Sequence, residues 1–517
     1  MSKKSFVNAA LILMIAGLIV RVMGFAYRIY LSNMIGAEGM GLFQLISPVY
    51  SLIILTLTSG ISIAVSKMTA EQNALGNHVS IMKIVRISLC IVVFAGIVVS
   101  LFLLVFISFI VNNVINDSRT YYSFLLMIPC IPIISASSTL KGYFYGLQEA
   151  VPSAVSQVFE QTTKIFIVFL LAPFFIQVGL EYACALATLA MAVGEIISLI
   201  VLYVFYIIKK KRHSRKVRGT GAAGSAMSRV RILFNIVKIS VPISVNRFIT
   251  SIMSAVEAVL IPSRLLLTGL DYKTCIEEFG RLSGMAMPLI FFPSIITSSL
   301  ATTLVPAISE SVSVKNMRSV RNKISKSIQI SFIIGIIFAA VFYVLPEEIS
   351  NLIYKGQNVG PILAGISLVC IFLFVQQTML GVLNGLGLQS ISLRNSVIGY
   401  TIRLIFVIFI IPVKGMPGYI QGLLISTAIV CVLDMIPVIK RAGMILDIRN
   451  WILKPVVPGI FILVAGKPIY VLLHSILKSN FLTIGFSVSI MIVISCLLLI
   501  LMGALDIRDL KKKKGAV

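Results

Sequence analysis

Fourteen stretches of this chain, each longer than twenty residues, are apolar on every face, and that pattern decides what the chain can become. They lie near residues 7–31, 41–66, 84–111, 121–145, 155–176, 182–208, 233–262, 283–307, 326–346, 360–386, 391–413, 417–439, 454–475 and 481–504. A bilayer core takes about 20 apolar residues per helix, and only helices or closed barrels satisfy their backbone there. Barrel strands would alternate in polarity, and these stretches do not. Composition agrees: 58% of residues are hydrophobic and 12% charged, where soluble domains carry about 25% charged residues. The expected fold is an all-α polytopic membrane protein with about 14 transmembrane helices.

A net charge of +26 would suit a nucleic-acid binder, but its distribution points elsewhere. Of the 44 Lys and Arg residues, only Arg119, Arg264, Lys273, Arg281, Lys355, Lys414 and Lys478 fall in the odd-numbered connections. Arg21, Arg28, Lys164, Lys238, Arg247, Arg403 and Lys467 lie within segments, and the rest flank the even connections or the two ends. Short loops rich in Lys and Arg stay in the cytoplasm. The bias therefore predicts a plasma-membrane protein with both termini cytoplasmic and no nucleic-acid partner. Six of the seven cysteines sit inside apolar stretches without CxxC spacing, and the three histidines are scattered. Neither set suggests a metal site or a cofactor.

A shift of 239 residues superimposes several unusual positions. Glu71 falls on Glu310, Gly142 and Gly146 on Gly381 and Gly385, Lys164 on Arg403, and Ser59 on Ser298. For the first and seventh segments a shift of 226 places Arg21 on Arg247, with an insertion near 269–282 taking up the difference. The expected architecture is two six-helix lobes in parallel repeat followed by two further helices, as in transporters that work by rocking two lobes. Residues 1–208 would form the first lobe, 209–231 a basic, Gly/Ala/Ser-rich cytoplasmic linker, and 232–440 the second lobe. The last two helices and a basic cytoplasmic tail occupy 441–517.

An ionised side chain in mid-bilayer costs roughly 2.5–3.5 kcal/mol on insertion scales unless it faces protein or water. The intramembrane cations are therefore the leading site candidates. Gly17, Arg21, Gly24 and Arg28 share one helical face, and Ser240, Ser244, Arg247, Ser251 and Ser254 make a similar stripe. Lys164 and Arg403 add cations from the fifth and eleventh segments. The expected substrate-binding set is Arg21, Arg247, Arg403, Lys164 and Arg28, with Gly24, Ser59, Ser244, Ser251 and Ser298 lining a cavity. Competing explanations exist for some of them. Glu160, one turn from Lys164, suits a structural ion pair, and Arg28 and Lys238 lie near segment ends where long side chains snorkel. The intramembrane acids Glu160, Glu195, Glu257 and Asp434 support a rival reading in which Glu160 and Glu257 couple an ion. No P-loop, HExxH or Ser/His/Asp pattern is present, so neither ATP hydrolysis nor other enzymatic chemistry is expected.

Residues 20–67, with Arg21–Gly24–Phe25–Arg28, Ile35–Gly36–Ala37–Glu38–Gly39 and Ala64–Val65–Ser66–Lys67, resemble the polysaccharide-flippase branch of the multidrug/oligosaccharidyl-lipid/polysaccharide exporter superfamily. Residues 141–164, KGYFYGLQEAVPSAVSQVFEQTTK, are a second match. The resemblance implies a sporulation-linked relative of the lipid II flippases with a central cationic cavity. Its cargo would be an undecaprenyl-diphosphate-linked saccharide for spore-cortex peptidoglycan, carried by alternating access. Arg21 matches a cavity cation of the family, and the last two helices match the pair that receives the lipid tail. Implied partners are the lipid-linked saccharide with its diphosphate, membrane lipids and cell-wall synthesis enzymes. Two other classes compete: a cation-coupled drug exporter, and a non-transporting scaffold for cell-wall enzymes.

Overall fold

The computed structural model describes the backbone of residues 3–220 and 227–504, with side chains for 17–211 and 227–504. No strand occurs among the described residues. Packing divides the chain into two units, residues 1–259 and 260–517.

The first unit holds α1 (Lys3–Ala74), α2 (His78–Val105), α3 (Tyr121–Met127), α4 (Cys130–Gly146), α5 (Val151–Val178), α6 (Leu180–Thr220) and most of α7 (Arg229–Leu265). The second holds α8 (Tyr272–Phe279), α9 (Ser294–Ser313), α10 (Met317–Val344), α11 (Pro346–Ile353), α12 (Gly360–Ile366) and α13 (Val369–Gly385). It continues with α14 (Gln389–Ile405), α15 (Met416–Ala442), α16 (Lys454–Leu477) and α17 (Asn480–Leu501). Among the described residues, eleven helices are long and apolar enough to cross a membrane, or 13 if the bent pairs α3–α4 and α12–α13 each make one span. Fourteen follows only if α1 is two spans. Its apolar stretch Gly17–Ala74 has 58 residues, about 87 Å at 1.5 Å per residue, against the roughly 30 Å of a hydrocarbon core.

The expected connection between the first two segments is not a loop. The helix passes through Gly36, whose φ of 67° and ψ of −172° break it at a single residue. A side chain is strained there, which is why glycine holds the position. Two residues on, Glu38 accepts a 2.6 Å bond from Arg119 Nη1, and Arg119 grips Asp117 through Nε at 3.0 Å and Nη2 at 2.7 Å. This forked contact ties the kink to the turn before α3. Arg119→Ala should cost on the order of 2–4 kcal/mol by taking the guanidinium away from one buried and one half-buried carboxylate. An unchanged unfolding midpoint in detergent would show that the pin carries no weight.

The helical linker is a second difference. α6 runs to Thr220, so the basic half of the expected linker is helical, as its run of Lys and Arg favours, with Gly219 only at the end of the helix. Residues 221–226 of that linker lie outside the described residues. Beyond them, α7 packs on the first unit: Met227 N donates to Ser80 Oγ, and Ile232 and Ile236 cluster with Met68 and Ile84.

The 239-residue repeat is a repeat of contacts. A Cβ on Gly142 would lie 2.5 Å from the Ser62 carbonyl, and one on Gly381 closer still to the Ala301 carbonyl, its counterpart. Gly146 abuts the Ser66 carbonyl and Gly385 the Val305 carbonyl in the same relation. α2 and α10 each have 28 residues, each capped by an asparagine, Asn77 on Ser80 N and Asn316 on Ser319 N. α4 and α13 each have 17 residues and follow a bend, of 43° and 54°. The second unit therefore rebuilds the first around the same backbone approaches.

Candidate functional site

Helical backbone through residues 17–35 puts Arg21, Gly24 and Arg28 on one face of α1, as their spacing requires. Arg21 is exposed, Arg28 half-buried, and a Cβ on Gly24 would meet nothing within 4 Å. On α7, Arg247 is exposed, Ser244 half-buried and Ser251 buried. Ser244 and Ser240 meet α1 at Gly60, where a Cβ would touch Ser244 Oγ at 2.6 Å. Both arginines thus belong to the first unit, and their helices touch at Gly60, in the part of α1 beyond the Gly36 break. Glu257, further along α7, is buried.

Ser59 and Ser298 are half-buried, and each donates to its own helix, to the Leu55 carbonyl at 2.5 Å and the Ile295 carbonyl at 3.0 Å. Such bonds satisfy hydroxyls in apolar surroundings. Arg403 in the second unit is half-buried, with its guanidinium 4.3 Å from the Tyr400 ring centre, a cation–π contact.

Lys164 differs from the arginines. It is 7% exposed, and its Nζ donates to Glu160 Oε1 at 2.5 Å. Lys141 of α4 approaches the other Glu160 oxygen at 3.9 Å, and Glu195 of α6 faces the same group. The four side chains form a quartet of two ammonium and two carboxyl groups where α4, α5 and α6 meet, buried at Glu160 and Lys164 and half-buried at Lys141 and Glu195. Gly194 makes room for it, since a Cβ there would fall 2.9 Å from Lys164 Cγ.

The quartet includes two residues absent from the expected site, Lys141 and Glu195, although Glu195 stands among the intramembrane acids. A signal was available: Glu195 falls on Asp434 at the same 239-residue shift. Asp434 is buried in the second unit, where it accepts from Asn395 Nδ2 at 2.8 Å, and Arg394 donates to Asn395 Oδ1 at 3.2 Å through Nη2. The repeat thus pairs acids as well as cations. At the same shift Glu160 falls on Gly399 and Gly194 on Leu433, so the small residue changes helix between the two copies. Gly399 packs against Val430 instead of hosting a charge.

Among the described residues, no group of three or more His, Cys, Asp or Glu side chains is placed to hold a metal ion.

Comparison with known proteins gives this arrangement a context. Residues 6–312 match the family model described as polysaccharide biosynthesis protein. Stage V sporulation protein B of Bacillus subtilis (strain 168) is 30% identical over 88% of this chain and 87% of its own length. Lipid II flippase MurJ of the same organism is 23% identical over 86% of this chain and 84% of its own. A solved structure of a lipid II flippase MurJ in an inward closed conformation superposes with a TM-score of 0.70 at 14% identity, covering 97% of this chain and 99% of that one.

Proposed function

The chain belongs to the polysaccharide biosynthesis protein family, and from that premise we propose that it flips an undecaprenyl-diphosphate-linked saccharide across the plasma membrane. The cargo we favour is a lipid II-like peptidoglycan precursor destined for spore cortex, carried by alternating access with both termini cytoplasmic. The resemblance carried by residues 20–67 and 141–164 is to this same family, and the two relatives named above support the cargo class.

One observation carries the proposal. Arg21 and Arg247 lie in apolar, span-length helices yet are exposed on their unit, whereas Lys164 is buried against an acid. An arginine left on such a surface is costly in lipid and tolerable beside water or an anion. A diphosphate is an anion that suits it, because the planar guanidinium fork donates to two oxygens together. In this reading Arg21 and Arg247 grip the diphosphate while Arg28 and Arg403 assist. Gly24 leaves space beside the grip, and Ser244, Ser251, Ser59 and Ser298 supply polar surface. The prenyl tail remains in lipid.

The quartet weighs against ion coupling through Glu160. A coupling cation needs an acid with room for it, and the Lys164 ammonium already occupies that place. Lys164 therefore serves the fold in our reading rather than the cargo. A drug exporter coupled through Glu257 would instead lose transport on Glu257→Gln and keep it on Arg21→Ala.

The test is flipping of a fluorescent undecaprenyl-diphosphate saccharide in reconstituted vesicles. Arg21→Ala and Arg247→Ala should each slow it by about tenfold or more, the loss of one charge-assisted contact, at equal incorporation. Wild-type speed in the double variant would sink the grip. Failure of the wild type to exceed empty vesicles would sink the cargo class.

A further inference from the structure

A cavity of about 420 Å³ opens in the second unit where α11 and the turn after it meet α16 and α17. That is within the size range of small-molecule sites. The reading of the diphosphate grip leaves it without a role. Glu347 and Asn351 lie one turn apart on α11 and share a face toward it. Glu348, on the same helix, pairs with Lys467 through Oε1, while its Oε2 is buried without a hydrogen-bond partner among the described residues. Glu347 is wedged against Gly360, where a Cβ would fall 2.6 Å from its carboxylate oxygens, so its position is set by packing.

Charge and chemistry narrow what fits. Two carboxylates, Glu347 and Glu348, stand against two ammonium groups, Lys355 and Lys467, so the surroundings carry no formal net charge. A metal ion or a phosphate would find no opposite excess. Asn351, Asn480 and the Tyr470 hydroxyl both donate and accept, which is what a hydroxyl group asks of a partner. Leu352 and Ile484 supply apolar surface for the C–H face of a ring, and Tyr470 is held by stacking on His474, with centroids 5.7 Å apart and planes within 8°.

We propose that this cavity binds a neutral, hydroxyl-rich saccharide ring. The α11–α12 turn carries Lys355 and the α16–α17 turn Lys478, both among the connections that the Lys and Arg distribution assigns to the outside. The cavity is then a seat for the sugar headgroup on the face where it emerges. This deepens the flippase reading and rests on it only for the origin of the sugar.

The experiment uses the full chain in detergent and, as probe, a soluble disaccharide of N-acetylhexosamines without phosphate or lipid, followed by saturation-transfer NMR. Saturable binding is expected, weakened about fivefold or more by Asn351→Leu or Glu347→Gln, each the loss of a hydrogen-bonding group. Both side chains are exposed, so the variants should fold, and an unchanged unfolding midpoint verifies it. Arg21→Ala should bind the probe like the wild type. No saturable binding to the wild type, equal binding by the α11 variants, or displacement of the probe by calcium at the same residues would each overturn the proposal. Because the probe has no diphosphate and need not cross, sugar binding without flipping would refute the transport reading alone. Flipping without sugar binding would refute this one alone.

Discussion

Lys164→Ala should destabilise the protein by about 3–5 kcal/mol, the usual consequence of removing one partner from a buried ion pair. The substitution strands Glu160, itself 7% exposed, with only the more distant Lys141 at 3.9 Å to compensate it. It also empties the space that Gly194 leaves for the lysine stem. The cost should therefore exceed that of an exposed pair such as Lys67 with Glu71, which are 4.0 Å apart and more than half exposed; pairs of that kind are worth about 0–1 kcal/mol. Adding Glu160→Gln to Lys164→Met should recover much of the loss, because the stranded charge is gone and the volume is kept. Unfolding midpoints of wild type, Lys164→Met, Glu160→Gln and the double in detergent close the cycle. A single-variant loss no larger than about 1 kcal/mol would mean that water already reaches the quartet.

The second large effect is expected at the glycines where α4 meets α1 and where α13 meets α9. Gly142→Val and Gly381→Val each drive a branched side chain into a backbone carbonyl, at Ser62 and Ala301. A flexible side chain could swing away; a carbonyl in a helix cannot. Overpacking typically costs about 1–3 kcal/mol, and a backbone clash belongs at or above the top of that range. Both variants should give little monodisperse protein. The alanine versions should lower the midpoint by amounts that agree within about 1 kcal/mol, since the two contacts are copies. Gly24→Ala serves as the contrast: with nothing within 4 Å of the added methyl, it should be neutral or gain from the better helix propensity of alanine, up to about 1 kcal/mol. Tolerance of Gly142→Val would refute the close approach.

How much of this was legible beforehand varies by feature. The apolar stretches placed the helices, because a membrane span needs length and hydrophobicity and little else. The glycine coincidences at 142/381 and 146/385 located the repeat, because close helix packing admits few residue types and so leaves a trace. The Gly36 kink was not legible: a helix that turns at one residue and a loop of several residues have similar composition in apolar sequence. Nor was the extent of α6 into its basic end, where helix propensity outweighed the Gly/Ala/Ser-rich segment that follows.

For the site, spacing foretold the shared face of Arg21, Gly24 and Arg28 and the pairing of Glu160 with Lys164. Lys141 and Glu195 escaped because they arrive from other helices, α4 and α6, and periodicity on one helix says nothing about its neighbours. The Glu195–Asp434 coincidence was open to view.

The quartet has one more consequence, electrical in kind. Moving a unit charge through 100 mV of membrane potential involves about 2.3 kcal/mol. With both carboxyl groups ionised, Lys141, Lys164, Glu160 and Glu195 together sum to zero formal charge. If the helices carrying them shift as a body, the field does no net work on the group. Whatever voltage dependence transport shows should therefore trace to arginines such as Arg21 and Arg247 and to the charge of the cargo. These four charges would be ballast, present for cohesion and invisible to the potential.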